Sequence, residues 1–493
     1  MKSSATCDQG VSKVSRRSFL RCCAASGLLV PLASAARTVN TLDHRTAKAR
    51  TERPNIILIF SDDHGYADLG RQGVYGDVKT PNIDALAAMG VRMSNGYVTA
   101  PQCVPSRAGL LSGRYQNRFG LEANGQSTAG FDKALNIAER LKKAGYTTGM
   151  AGKWHLGPPD KIVDHGFDKV FWKNSNRPGI ANIDLQGKDV PLGQEKTGAY
   201  HLDACSSVAC SFIERFREKP FFFYLAYRAP HVPLDPPQNY LDRFPGKMPE
   251  RRRRALAMIS AVDDGVGRIT ETLRKHGLQE KTLIFFISDN GAPLKIDKRD
   301  APGIGPGWNG SLNDPMNGEK GMLTEGGIRV PFVVCWKGTI PGGKVYDQPV
   351  ISLDVAATAN AVAGLPSDPV LDGVNLVPYL TGKKQGPPHK ALFWRWRGQA
   401  AIRKGKWKYL VGGSREYLFD LQADAQEKNN LFKQHPELAR RLRAELAEWS
   451  QTLEPPGLEK TIGATANRFF DWYLEGKQTA PTASPSRGRR RRN

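Results

Sequence analysis

The sequence predicts an α/β fold, a mostly parallel central sheet flanked by helices on both faces, followed by a smaller C-terminal α+β unit of antiparallel sheet plus helix. Three observations carry the prediction. Five short apolar runs, Asn55 to Phe60, Thr147 to Ala151, Pro220 to Tyr227, Thr282 to Ser288 and Pro331 to Trp336, have the length and unbroken hydrophobicity of strands buried on both faces. Between them, Pro81 to Gly90, Lys133 to Ala144 and Ala255 to His276 carry helical periodicity, and such alternation implies parallel strands joined by crossover helices. The 50 glycines and 33 prolines among 493 residues suit a loop-rich α/β architecture better than a helical bundle.

Taken from the N-terminus, residues 1–36 read as an export signal. Arg16-Arg17 precede a short apolar stretch from Cys22 to Leu32 and the small residues Ala33-Ser34-Ala35-Ala36, the pattern of a twin-arginine signal peptide. The stretch is too short to span a bilayer, and no later apolar run is long enough either. The expected partner is the twin-arginine translocase, the expected address periplasmic or secreted, with no membrane contact in the mature form. Residues 37–53 are a linker, 54–385 the main domain, 386–475 the C-terminal unit and 476–493 a disordered basic tail.

The net charge of +23 is concentrated. More than half of it comes from the signal, the run Arg251 to Arg254 and the arginines at 487 and 489 to 492. The remaining excess suits an anionic small substrate or a merely solvated basic surface, and it points to no specific nucleic-acid partner. Of seven cysteines, Cys7, Cys22 and Cys23 leave with the signal. Cys205, Cys210 and Cys335 read as buried small residues, since their number and spacing do not make a disulfide framework.

In the main domain, polar motifs fall just past the apolar runs, where open α/β sheets bind ligands. Asp62-Asp63 follow the first run and Asp289-Asn290 the fourth; three carboxylates and an amide oxygen make a hard site for Ca²⁺, with Mg²⁺ as the alternative, and not for zinc. Gly152-Lys153-Trp154-His155-Leu156-Gly157 puts a cation and an imidazole two residues apart, on one face if the segment is extended. His231 lies in Ala229-Pro230-His231-Val232-Pro233, and Lys320 in Glu319-Lys320-Gly321, ahead of Glu325-Gly326-Gly327-Ile328-Arg329-Val330-Pro331. His64 is expected to be structural. Residues 292–320 form a long Gly-, Asn-, Pro- and Asp-rich stretch between candidate site residues, which predicts a substrate-facing loop. In the C-terminal unit, Ala391 to Arg397, Gln399 to Arg403, Lys406 to Val411 and Glu416 to Asp420 predict four antiparallel strands, followed by a helix over 436–453.

The run Cys103-Val104-Pro105-Ser106-Arg107 resembles the Cys-x-Pro-Ser-Arg signature of the type I sulfatases, of the alkaline phosphatase superfamily, and the Gly152–Gly157, His231 and Glu319–Pro331 segments resemble others of that family. Ser112 stands where many relatives carry threonine. The resemblance implies that Cys103 is oxidised to formylglycine by a maturating enzyme that reads Cys103, Pro105 and Arg107. It implies that Asp62, Asp63, Asp289 and Asn290 hold the metal with the modified Cys103. It also implies that a hydroxyl of the hydrated aldehyde attacks sulfur to give a covalent sulfo-enzyme. Lys153, Lys320 and Arg107 would neutralise the sulfate, His231 would protonate the leaving oxygen, and His155 would take the proton that releases sulfate. The expected substrate is a sulfate ester, on carbohydrate. The competing expectations are a phosphate mono- or diester hydrolase of the same superfamily, which generally has Thr or Ser at the nucleophile, and a silent glycan-binding protein if Cys103 stays a thiol.

Overall fold

The computed structural model describes residues 53–295, 307–459 and 461–477; the expectations for the signal, for the linker up to residue 52 and for the tail from 478 lie outside them. The large sheet has ten strands. Its centre is β1 (Asn55–Asp62), β2 (Thr147–Gly152), β3 (Phe221–Pro230), β4 (Thr282–Ser288) and β5 (Phe332–Cys335). In space the order is β5, β4, β1, β3, β2, continued beyond β2 by Lys169–Trp172, Ile180–Ile183 and Asp189–Gln194, and beyond β5 by Val91–Met93 and Lys344–Tyr346. The pairs of β1 with β3 and β4, and of β2 with β3, are parallel. β5 runs antiparallel to β4, so the fifth predicted strand is present with its direction reversed.

Period-2 alternation explains why these runs are apolar throughout. Along β1, Ile56, Leu58 and Phe60 enter one core while Ile57 and Ile59 enter the other. The second core is closed by α2 (His201–Phe216) and α3 (Glu250–Lys275), where Phe212 meets the ring of Phe223 at 4.8 Å between centroids. The first holds α1 (Cys103–Ser112), whose Leu110 and Leu111 belong to it.

Register then places the site. Phe60 is paired with Ala226, Ser61 with Ser288 and Gly152 with Ala226, so β1, β2, β3 and β4 end at one level. The residues just beyond those ends, Asp62-Asp63, Lys153, His231 and Asp289-Asn290, are therefore brought to one rim of the sheet.

Three expectations change. The helix expected over 133–144 starts only at Ile137 and runs to Lys143, because Asn136 caps it: its side chain accepts from Ala138 N and Glu139 N while Glu139 accepts from Asn136 N; a separate short turn, Ala129–Asp132, precedes it. α3 starts at Glu250, not Ala255, so Arg251 to Arg254 are helical. Arg252 there is buried and pairs with Asp68 (2.7 Å) and Asp77 (2.8 Å), making part of the basic run structural. The described part of 292–320, which ends on Lys320 in the site, is more deeply built in than a rim loop. Asn309, Ser311, Asn313 and Glu319 are buried, Asn309 Nδ2 donates to Asp63 O (2.9 Å), and the segment forms scaffold beneath the carboxylates.

The C-terminal sheet has the four predicted strands, Leu392–Trp396, Gln399–Lys404, Trp407–Gly412 and Arg415–Asp420, in sequential antiparallel order, with the helix Pro436–Gln451 after it. Its Trp394, Ile402 and Leu410 share one apolar core with Leu58 and Phe60 of β1. Lys408 adds a charged tie. Fully buried, it meets Glu325 Oε1 at 2.9 Å and Glu427 Oε1 at 2.8 Å, while Glu427 Oε2 accepts from Glu325 N (2.7 Å) and Tyr97 Oη–H donates to Glu325 Oε2 (2.6 Å). Lys408→Met leaves the buried Glu427 without its cation and Glu325 with only the longer pair to Arg329 (3.4 Å), and is expected to cost about 3–5 kcal/mol in denaturant unfolding.

The same cluster predicts a pH signature. Burial pushes the Glu427 carboxyl up to about 7 against the pull of Lys408. An acid with a raised folded pKa stabilises fully below its unfolded value and loses that contribution as pH rises through the folded one. Glu427→Gln, which mimics the protonated acid, should therefore match the wild type near pH 5 and become the more stable of the two by pH 8, read from melting curves at both pH values.

Candidate active site

Cys103 is the first residue of α1, after the extended Gln102, and the helix closes at Gly113, whose φ of 69° needs glycine. Four residues along, Arg107 falls on the same helix face. Its buried guanidinium donates to Asp289 Oδ2 (2.9 Å), Tyr224 Oη (3.2 Å) and Lys153 O (3.3 Å), and lies over the Phe60 ring. Cys103 Sγ is 3.4 Å from Asp62 Oδ1 and 3.1 Å from Lys320 Nζ. Lys153 Nζ reaches Asp62 Oδ2 at 2.6 Å, and Lys320 Nζ reaches Asp63 Oδ1 at 2.5 Å. His231 Nε2 stands 3.7 Å from Asp63 Oδ2.

The structure thus brings nine of the ten predicted residues into one contact network. His155 is the tenth; it feels the charges of Lys153, Arg107 and Asp62 but contributes no direct bond. The extended-segment expectation fails there. His155 has φ 67°, so the chain turns, leaving Lys153 buried and His155 exposed. Lys320, in a loop where a lysine would ordinarily face solvent, is drawn inward by Asp63. His64 is structural as expected: it is buried, and its Nε2–H donates to Asp68 O (2.7 Å).

Electrostatics says what the site is for. Burial pushes the Cys103 thiol far above its ordinary range despite Lys153 and Lys320, so the encoded side chain is a neutral thiol and a poor nucleophile. Asp62 is held well below the carboxylate range because Lys153, His231 and Arg107 together outweigh its burial. Asp289 goes the other way, raised to about 7 by burial and by Asp62. Oxygen or sulfur atoms of Asp62, Asp63, Cys103 and Asp289 lie within 4.8 Å of one another. Asn290 Oδ1 beside them is buried and has no hydrogen-bond partner, while Asn290 Nδ2 donates to Asp63 Oδ1 (2.6 Å). Crowded carboxylates and an unused amide oxygen fit a hard divalent cation such as Ca²⁺.

Sequence reasoning missed the supports. Tyr224 reads as one more apolar strand residue, yet its hydroxyl accepts from Arg107. Glu319 Oε2 accepts from Leu294 N (2.9 Å) and Lys295 N (2.8 Å), and Glu319 Oε1 accepts from Tyr473 Oη (2.9 Å), which fixes the segment that carries Lys320. Only its place next to Lys320 in the motif hinted at this role. Nothing local marks Tyr473, 154 residues away.

Fold and site together define an α/β protein whose strand ends gather an acidic cluster with the chemistry for a hard cation beside a buried cysteine ringed by Lys153, Lys320 and Arg107. Residues 54–365 match the family model "Sulfatase", and residues 318–452 match "N-sulphoglucosamine sulphohydrolase, C-terminal". The chain is 34% identical to human N-acetylgalactosamine-6-sulfatase over 71% of its length and 73% of that protein's. It is 31% identical to the N-acetylgalactosamine-6-O-sulfatase of Bacteroides thetaiotaomicron over 82% of its length and 94% of that protein's. The crystal structure of Ps i-CgsB in complex with k-i-k-neocarrahexaose superposes with a TM-score of 0.71 at 32% identity, covering 85% of this chain and 97% of that one. The chain belongs to the sulfatase family, of the alkaline phosphatase superfamily, and is a sulfuric ester hydrolase.

Proposed function

We propose that the protein hydrolyses sulfate esters of carbohydrate, with formylglycine at position 103 and Ca²⁺ held by Asp62, Asp63, Asp289 and Asn290. The observation that carries this is Cys103 itself, buried at the start of α1 within 3.1 Å of Lys320 Nζ and inert as a thiol. Once oxidised and hydrated, position 103 supplies a nucleophilic hydroxyl and, through its second hydroxyl, a way to expel sulfate. The bound cation would offset the carboxylates and polarise sulfate oxygens.

The chain's own residues do the rest. Lys153, Lys320 and Arg107 ring the position with positive charge, which offsets the repulsion between a sulfate and any nucleophile and stabilises charge in the transition state. His231 Nδ1–H donates to Val232 O (2.6 Å), which turns Nε2 toward the cluster; burial favours the neutral ring against the pull of Asp62 and Asp63, so Nε2, 3.7 Å from Asp63 Oδ2, has to take up a proton before it passes one to the departing alcohol. Although its side chain reaches solvent, His155 is held below the usual imidazole range, by the protein packed around its ring and then by Lys153 and Arg107, so it is a neutral base at pH 7. Asp289, ion-paired to Arg107 beside Cys103, is placed to accept a proton from the attacking hydroxyl.

The carbohydrate assignment is supported by the relatives' names, N-acetylgalactosamine-6-sulfatase among them, and by the neocarrahexaose bound in the similar structure. The twin arginines at 16 and 17 support export of the folded, already matured enzyme to the periplasm by the twin-arginine translocase, after a formylglycine-generating enzyme has acted. The test is sulfate release from N-acetylgalactosamine 6-sulfate, neocarrahexaose and a set of phosphate esters. Release of sulfate from a saccharide is expected; turnover of phosphate esters alone would overturn the reading.

A further inference from the structure

The hairpin that joins Leu392–Trp396 to Gln399–Lys404 is docked on the segment carrying Lys320. Gln399 Nε2 donates to Gly321 O (3.1 Å), and Leu323 N donates to Gln399 Oε1 (3.1 Å). Trp396 and Phe469 together cover Gly321, where an added Cβ would lie 3.6 Å from the first ring and 3.5 Å from the second. Trp396 pairs directly with Gln399, so the turn is the two residues Arg397 and Gly398, with φ of 44° and 75°. Positive φ at both positions is the mirror-image hairpin turn, which favours Asn, Asp or Gly at the first of them. Arginine there is strained by its Cβ, and strain kept at an exposed position points to a use for the side chain.

The side chain itself is free. Arg397 is exposed, its guanidinium carbon lies 5.3 Å from the centre of the Trp396 ring, and among the described residues it has no carboxylate partner. The buried indole Nε1 of Trp396 likewise has no acceptor. A planar cation is thus steadied on the ring of Trp396, and that ring lies against Gly321, the residue that follows Lys320. A sulfated saccharide commonly carries anions besides the ester under attack, and a guanidinium fork matches a carboxylate or sulfate by two parallel hydrogen bonds.

We propose that Arg397 is a specificity-determining residue that binds a second anionic oxygen group of the saccharide, a uronate carboxylate or a sulfate other than the one hydrolysed. This rests on the reading of the substrate as sulfated carbohydrate. The Arg397–Gly398 turn presents the guanidinium, and Gln399 and Trp396 hold the turn against the catalytic segment.

Arg397→Asn separates this role from a structural one, because asparagine suits the turn better than arginine. The probes are N-acetylgalactosamine 6-sulfate, the disaccharide that adds a uronic acid to it, and the same sugar with a second sulfate. Wild type, Arg397→Asn and Arg397→Lys are compared at matched formylglycine content. Arg397→Asn is expected to melt at or above the wild-type temperature, while KM for a doubly charged probe rises roughly tenfold, about the worth of one charge-assisted pair, with kcat little altered. Arg397→Lys should recover part of the loss, and the more affected probe identifies the anion as carboxylate or sulfate. Wild-type KM values in Arg397→Asn, or an equal rise on the singly charged probe, would overturn the assignment. No sulfate release from any of the three by the wild type, with an aryl sulfate still hydrolysed, would instead bring down the carbohydrate reading beneath it.

Discussion

Cys103→Ala is expected to release no measurable sulfate, a loss of at least ~10⁴-fold in kcat, while the protein stays folded. The side chain is fully buried, so its removal leaves a small cavity costing roughly 1 kcal/mol, and alanine at the first position of α1 is a good helix former. Lys153, Lys320 and Arg107 remain to attract the anion, so the variant should still bind sulfate esters. Binding without turnover, measured by calorimetry beside a sulfate-release assay, separates loss of the nucleophile from collapse of the site. Retained turnover would mean that another group attacks.

Removing the divalent cation has the second largest expected effect. Asp62, Asp63 and Asp289 crowd their oxygens into one buried space, and without a cation Asp289 is driven up to about 7, so part of the site's negative charge is lost to protons. Chelation followed by desalting should leave under about 1% of activity and lower the melting temperature, since a ligand that binds only the folded state at a thousand times its Kd contributes about 4 kcal/mol. Added Ca²⁺ should restore both. Asp63→Ala should show the low activity without the Ca²⁺ response. Full turnover in protein shown by elemental analysis to be metal-free would contradict the assignment.

Much of this arrangement was legible in the sequence because it is local. The strands that end at Asp62, Gly152, Pro230 and Ser288 are buried on both faces, so they read as apolar runs, and the functional residues sit directly after them. The Cys103 and Arg107 pair is likewise a spacing within one helix. What could not be read depends on contacts between distant segments. Short strands such as Asp189–Gln194 are largely exposed and carry no apolar pattern. The late start of the helix at Ile137 turned on a cap whose sequence signature, Asn136 with Glu139 three residues on, was outweighed by the helical periodicity around it. Arg252 counted as surface charge until the fold set Asp68 and Asp77 against it. Residues 307–319 look like a loop because they have no periodicity, yet they are buried through side-chain hydrogen bonds in place of apolar packing. The i, i+2 argument for Lys153 and His155 failed on one backbone angle, at His155, that no pattern announces.

On the proposed mechanism the encoded thiol at position 103 is a precursor and the modified residue does the chemistry. Cleavage after Arg92 and Arg107 isolates residues 93–107 as one peptide, and its mass in protein of known specific activity tests the claim most directly. The mass of an aldehyde in place of the thiol is expected, in a proportion that tracks sulfate release from batch to batch. A fully active protein whose peptide carries only unmodified cysteine would contradict it.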